Sequence, residues 1–120
     1  MLKKEYRLKK RSAFSATYKT GQSFYKNGVT LFCGRVKQLG KEEISTKIGF
    51  VVSKKISKRA VRRNRIKRLM RESVRLYIKE HKNKFNTKYL SLVFVASSKL
   101  LDKNYAFINK SINELMGMII

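Results

Sequence analysis

The stretch that decides the fold is Lys54 to Glu72, KKISKRAVRRNRIKRLMRE. More than half of these residues are Lys or Arg and only Glu72 is acidic, so the segment repels itself unless its charges face solvent or meet a polyanion. Its apolar residues choose between disorder and helix. Ile66, Leu69, Met70, Val74 and Tyr77 recur at spacings of three and four, the period of a helix with one buried face. At about 100° per residue, Asn64, Lys67, Arg68, Arg71 and Arg75 fall on the opposite side, stacked over successive turns as a ladder of donors without an interleaved carboxylate. An ordinary exposed helix mixes both signs for pairing between successive turns, so this face reads as a binding surface rather than a solvated one. Arg62 and Arg63 project near the apolar side of the same wheel, which predicts that they precede regular helix.

Working outward, Thr46 to Ser53 (TKIGFVVS) and Leu90 to Ala96 (LSLVFVA) are short, dense in β-branched and aromatic residues, and read as strands on either side of the basic helix. Ser57 is the predicted cap of that helix, which should run to about Glu80 before the polar residues His81, Asn83 and Asn86. Upstream, SFYKNGVTLFCGRV (residues 23–36) places strand-forming residues around Asn27-Gly28, a hairpin signal, and KQLGKEE after it reads as a loop. Residues 1–11 are weakly patterned and read as an arm, with Tyr6 and Leu8 as anchors. A two-turn helix follows, capped by Ser12 and ended at Gly21. Its Phe14 and Tyr18 share a face, either as core or as an aromatic pair at a groove edge. A last helix, capped by Asp102, carries the apolar stripe Tyr105, Ile108, Ile112, Leu115 and Met116. The order is helix, strands, helix, strand, helix.

At 120 residues and 42% hydrophobic content the chain builds one domain, residues 1–120, with a core of its own. Thirty Lys and Arg against seven Asp and Glu leave a formal net charge of +23, an excess that implies a polyanionic partner. Apolar residues recur along the whole chain as a folded core requires, which favours nucleic acid over an anionic membrane surface. No stretch reaches roughly eighteen apolar residues and MLKKEYRLKK lacks the apolar segment of a secretory signal, so the chain reads as cytoplasmic with no membrane partner.

Hydrolytic chemistry needs a base, a nucleophile or a metal cage, and the inventory is thin. There is one His, one Cys and one Asp. Cys33, flanked by Leu31 and Phe32, reads as a buried thiol. His81 reads as a surface residue at a helix end. The Glu residues are scattered except for Glu42 and Glu43 in a predicted loop, whereas Mg²⁺ needs several oxygen ligands together. No GxxxxGK loop and no CxxC pair is present. By elimination the residues point to a domain that binds RNA or DNA, with no catalytic and no metal-ligating residue of its own.

The segment from Ser53 to Glu72 resembles the signature of the protein subunit of bacterial ribonuclease P. The features are Lys54-Lys55 at a strand end, Ala60 at a helix start, Arg63-Asn64-Arg65, then Ile66, Lys67-Arg68 and Arg71. RLKKRSAF (residues 7–14) with Tyr18 and Gly21 looks like that family's start, and LVFVA (residues 92–96) like its last strand. The resemblance implies an α/β (α+β) two-layer sandwich with a mixed sheet of about four strands in the order αβββαβα, and a left-handed strand-helix-strand crossover, an exception to the usual handedness. It implies a subunit of a ribonucleoprotein endoribonuclease that removes the 5′ leader of precursor tRNA, with catalysis and Mg²⁺ belonging mainly to the RNA subunit and no cofactor on the protein alone. Carried over by position, Lys54, Lys55, Arg59, Arg62, Arg63, Asn64, Arg65, Lys67, Arg68 and Arg71 meet the catalytic RNA. Phe14, Tyr18, Thr30, Phe32 and Ala96 form a cleft for the leader. Thr30 and Phe32, two apart on a strand, share a face as a cleft floor requires. A structural RNA-binding protein and a DNA-binding regulator are the rivals. The first lacks a reason for the Arg-Asn-Arg match, and strands flanking the helix make major-groove entry unnatural for the second.

Overall fold

A computed structural model describes residues 6–36, 46–80 and 89–119. The elements are α1 (Arg11–Lys19), β1 (Gln22–Lys26), β2 (Val29–Cys33), β3 (Lys47–Val51), α2 (Ala60–Glu80), β4 (Ser91–Ala96), a 3₁₀ turn (Ser98–Leu100) and α3 (Tyr105–Ile119). The four strands form one mixed sheet in the order β1-β2-β4-β3. β1 and β2 are an antiparallel hairpin, β2 and β4 are antiparallel, and β3 and β4 are parallel neighbours joined through α2.

Local chemistry explains most of these elements. The hairpin turns through Asn27 (φ 42°) and Gly28 (φ 93°), the two positive φ values that match the twist of the flanking strands. Gly28 is doubly constrained, because a Cβ there would sit 3.0 Å from Leu100 Cδ2. In α2 the positions 66, 70, 74 and 78 are all buried, a strict every-fourth-residue stripe, with Leu69 and Tyr77 packed beside it. In α3 Ile108, Ile112, Leu115 and Met116 are fully buried.

These two helices cover one face of the sheet. Strand alternation sends Val29, Leu31 and Cys33 of β2 and Leu92, Phe94 and Ala96 of β4 into that layer, where Phe50 of β3 stacks on Phe94 at 5.7 Å between ring centroids. Cys33, the one cysteine of the chain, is buried, as its neighbours predict. Buried hydroxyls cross the apolar layer: Ser73 donates to Asn109 Oδ1 at 2.7 Å and ties α2 to α3, and Ser111 of α3 reaches the Asn27 carbonyl of the hairpin at 3.5 Å. The result is a two-layer sandwich of sheet on helices, with short α1 laid over part of the opposite sheet face. The N-terminal arm is anchored as expected. Tyr6 is buried, Arg7 bridges Ile48 in parallel, and Leu8 N–H donates to the Ile48 carbonyl at 2.9 Å, so the arm covers the outer edge of β3.

Three predicted caps move. α1 starts after Lys10, which makes no side-chain cap, and Ser12 lies inside the helix. α2 starts at Ala60 rather than after Ser57, whose hydroxyl instead accepts from Arg59 N–H at 3.3 Å. Arg62 and Arg63 therefore belong to the helix. α3 is capped by Asn104, whose Oδ1 accepts from Phe107 N–H at 3.0 Å, because the unforeseen 3₁₀ turn displaces Asp102 upstream of the helix. His81, the residues 82–88 after it, and the Glu42-Glu43 pair with its loop lie outside the described residues.

Candidate nucleic-acid interface

Docking of the 66/70/74/78 stripe turns the rest of α2 outward, and tertiary partners then sort its cations into two groups. Asn64 and Arg68 are exposed, Lys67 and Arg71 are half-buried, and none of the four side chains has a hydrogen bond or ion pair among the described residues. Four other arginines are engaged within the protein. Arg62 Nη2 lies 3.3 Å from Asp102 Oδ1, and Arg63 Nη1 donates to the Ser57 carbonyl at 2.8 Å. Arg65 Nη2 donates to the Lys103 carbonyl at 3.1 Å, and Arg75 Nε to Glu72 Oε2 at 3.0 Å. The Arg75 guanidinium holds the Glu72 carboxyl below the usual carboxylate range.

Arg75 thus leaves the predicted donor ladder, since Glu72 lies one turn back on its own face and neutralises it. Arg62, Arg63 and Arg65 turn towards the connector and the lead into α3, which explains why the first two fall near the apolar side of the wheel. Each guanidinium carries five N–H donors, so a bond to one carbonyl leaves donors open to a second partner. Lys54, Lys55 and Arg59 are exposed in the turn before α2.

On the opposite sheet face, α1 places its aromatic pair over the strands. The Tyr18 and Phe32 rings meet edge to face at 4.9 Å between centroids. Burial raises the Tyr18 hydroxyl above its ordinary value, so it remains a neutral O–H able to donate. Thr30 and Phe32 share this face as predicted. Ala96 does not. It is 2% exposed and belongs to the core on the other side, because it pairs with inward-facing Val29, whereas Thr30 and Phe32 stand opposite Val95 and Val93. Val95 and Val93 are the β4 residues that back this groove. Val51, opposite Val95 in the parallel pair, lines a recess of about 320 Å³ with Lys9, Arg11, Phe14 and Tyr18. No local signal marks Val51, whose place follows from strand register alone.

Phe14 also reaches a second recess. Its ring lies against β3 at Gly49, where a Cβ would stand 2.6 Å from Phe14 Cζ, so only a hydrogen at that position lets the ring approach. The recess there, about 300 Å³, is lined by Arg7, Lys9, Gly49 and Phe50 together with Lys67 and Arg71 of α2. Phe14 and Lys9 line both recesses, the ring forming their shared wall. The aromatic groove and the donor face of α2, which the sequence presents as separate motifs, are one continuous surface with cations at both ends. Arg7, Lys9 and Arg11 belong to it, although the sequence marks them only as part of a basic arm. Such a surface combines positive charge for phosphates with partly exposed rings for bases, the pairing that single-stranded nucleic acid requires.

Among the described residues no three His, Cys, Asp or Glu side chains gather closely enough to hold a metal ion, and no helix is long and apolar enough to cross a membrane.

The family model for ribonuclease P matches residues 2–119. The chain is 39% identical over 117 residues to the ribonuclease P protein component of Clostridium kluyveri, spanning 92% of this chain and 91% of that one. It is 36% identical over 109 residues to the ribonuclease P protein component of Clostridioides difficile, spanning 91% and 87%. Among solved structures, the Staphylococcus aureus RNase P protein superposes with a TM-score of 0.70 at 28% identity over 94% of each chain. The Thermotoga maritima RNase P protein, in complex with 1-(4-fluorophenyl)-2-thiourea, superposes with a TM-score of 0.72 over 95% of this chain and 100% of that one, and at 23% identity it speaks for the fold alone.

Proposed function

Because the chain belongs to the ribonuclease P protein family, and with it to tRNA processing, we propose that it binds the catalytic RNA through α2 and the 5′ leader of precursor tRNA through the aromatic groove. The observation that carries this reading is the shared wall at Phe14, which puts the two binding surfaces side by side without a break. The division of labour follows from the residue types. Asn64, Lys67, Arg68 and Arg71 offer donors unclaimed among the described residues to phosphates of a folded RNA, with Lys54, Lys55 and Arg59 extending the patch, and this attraction is independent of sequence. Arg62, Arg63 and Arg65 hold the start of α2 in place and present their remaining N–H groups to the same partner. Phe14, Tyr18 and Phe32 give unpaired bases a stacking surface that a mature tRNA end, lacking the leader, does not occupy.

In this reading the endonucleolytic chemistry and its Mg²⁺ belong to the RNA. The described carboxylates do not gather into a cage for a hard cation, and Glu72 and Asp102 are each engaged by an arginine. The protein's part is to neutralise phosphates, hold the leader and favour precursor over product. The test is reconstitution with the RNA subunit at low Mg²⁺. The complex should cleave precursor tRNA faster than the RNA alone and bind it more tightly than mature tRNA. Cleavage by the purified protein without RNA would overturn the assignment.

A further inference from the structure

The face of α1 turned away from Phe14 and Tyr18 carries a second, differently built groove. It is open, about 590 Å³, and is lined by Arg11, Ser12, Ser15, Ala16 and Lys19 with Arg35 from beyond β2. Arg11 is the crest between the two sides, since it also lines the recess with Phe14 and Val51. Ser12 and Ala16, one turn apart, are small enough for a chain to lie against the helix. Lys19 and Arg35 are exposed, and neither side chain has a partner among the described residues. The described acidic side chains, Glu72, Glu80, Asp102 and Glu114, lie elsewhere, and the groove contains no aromatic and no large apolar side chain.

That composition selects an occupant. Cations and hydroxyls without aromatic rings suit phosphates better than base stacking, and a surface without large apolar side chains gives a membrane little to bury. We infer that this outer face of α1 is a phosphate track for single-stranded RNA, taking the part of the leader that lies beyond the aromatic groove. The inference rests on leader binding in that groove, because the shared Arg11 is what makes the two surfaces one path. A helix of nine residues at about 1.5 Å each spans about 13 Å, room for about four nucleotides of a stacked strand at 3.4 Å spacing or about two of an extended one.

The test compares two precursor tRNAs bound to the reconstituted holoenzyme, one whose leader ends within the aromatic groove and one about four nucleotides longer. For the wild-type protein the longer leader should bind more tightly. Losing two phosphate contacts, each with a single-strand salt exponent of about 0.7, weakens binding roughly ten- to thirty-fold at 0.1–0.15 M salt. The double variant Lys19→Ala, Arg35→Ala should therefore lose most of the gain from the longer leader and show a shallower salt dependence for it, while binding the short-leader precursor as the wild type does. Ser12→Glu, which places a negative charge in the track and near a helix N-terminus where it is tolerated, should abolish the same gain with the melting temperature kept. A wild-type protein indifferent to the extension, a double variant that keeps the gain, or an equal loss on both leaders would each overturn the track. Failure of leader binding itself shows separately, as no preference of the wild type for short-leader precursor over mature tRNA.

Discussion

Replacing Gly49 by Ala should disable the groove without touching a charge. The new Cβ would stand 2.6 Å from Phe14 Cζ and 3.3 Å from Leu8 Cδ2, so the Phe14 ring must leave its place. Gly49 has no positive φ, so the backbone accepts alanine and the effect is steric alone. Overpacking of this kind costs about 1–3 kcal/mol, and the lower end applies because Phe14 is half-buried and can swing towards solvent. For a domain of this size that predicts a melting temperature lower by roughly 3–6 °C. The functional cost should exceed the structural one. Stacking of one base on an aromatic ring is worth about 1–3 kcal/mol, so displacing a ring that walls both recesses should weaken precursor binding roughly 5- to 150-fold. Mature tRNA, with no leader in the groove, should be little affected. The assay is paired titration of the holoenzyme with precursor and mature tRNA beside thermal unfolding of the free protein. Adding Phe14→Leu to Gly49→Ala relieves the collision and should restore stability but not the preference for precursor. If Gly49→Ala leaves both the melting temperature and that preference unchanged, Phe14 does not lie against β3 as argued and the continuity of the two surfaces fails.

Other perturbations separate the remaining parts. Arg68→Glu alters an exposed donor without a partner among the described residues, so it should leave the melting temperature alone, weaken assembly with the RNA subunit and reduce the salt exponent of that assembly by about 1. Asp102→Asn breaks an ion pair whose side chains are 44% and 92% exposed, and urea unfolding should register less than about 0.5 kcal/mol. Ala96→Leu overfills the core layer and should cost about 1–3 kcal/mol, whereas Val95→Ala acts on the groove side and should lower precursor preference with a smaller loss of stability; the reverse ranking would place Ala96 in the groove after all. The Glu72 carboxyl is held below its ordinary value by Arg75, so its folded form carries stability present above about pH 4.5 and lost as pH falls through the lowered value. Glu72→Gln should flatten that acid limb of the urea midpoint against pH.

Several features were legible because they depend on neighbours in the chain. The every-fourth-residue stripe of α2 shows in the sequence since one helix face must meet the core, and Asn27-Gly28 announces the hairpin since few residues accept two positive φ values. The thin inventory of nucleophiles and ligands is likewise a property of composition. Caps were less legible, because Ser57 and Asp102 are as able to cap as Asn104, and the choice went to the residue left at the helix entry once the 3₁₀ turn had formed.

The sequence by itself determined the basic one-sided helix, the order of elements, the hairpin and the aromatic pair on α1, all set by periods of two or three to four residues that any local segment obeys. Only the tertiary structure decided which cations remain open, because the partners of Arg62 and Arg65 lie 40 and 38 residues away along the chain. Register decided that Ala96 faces the core while Val95 and Val51 face the groove. Packing decided the rest: a missing side chain at Gly49 admits the Phe14 ring, and one ring then joins two motifs that no local pattern connects.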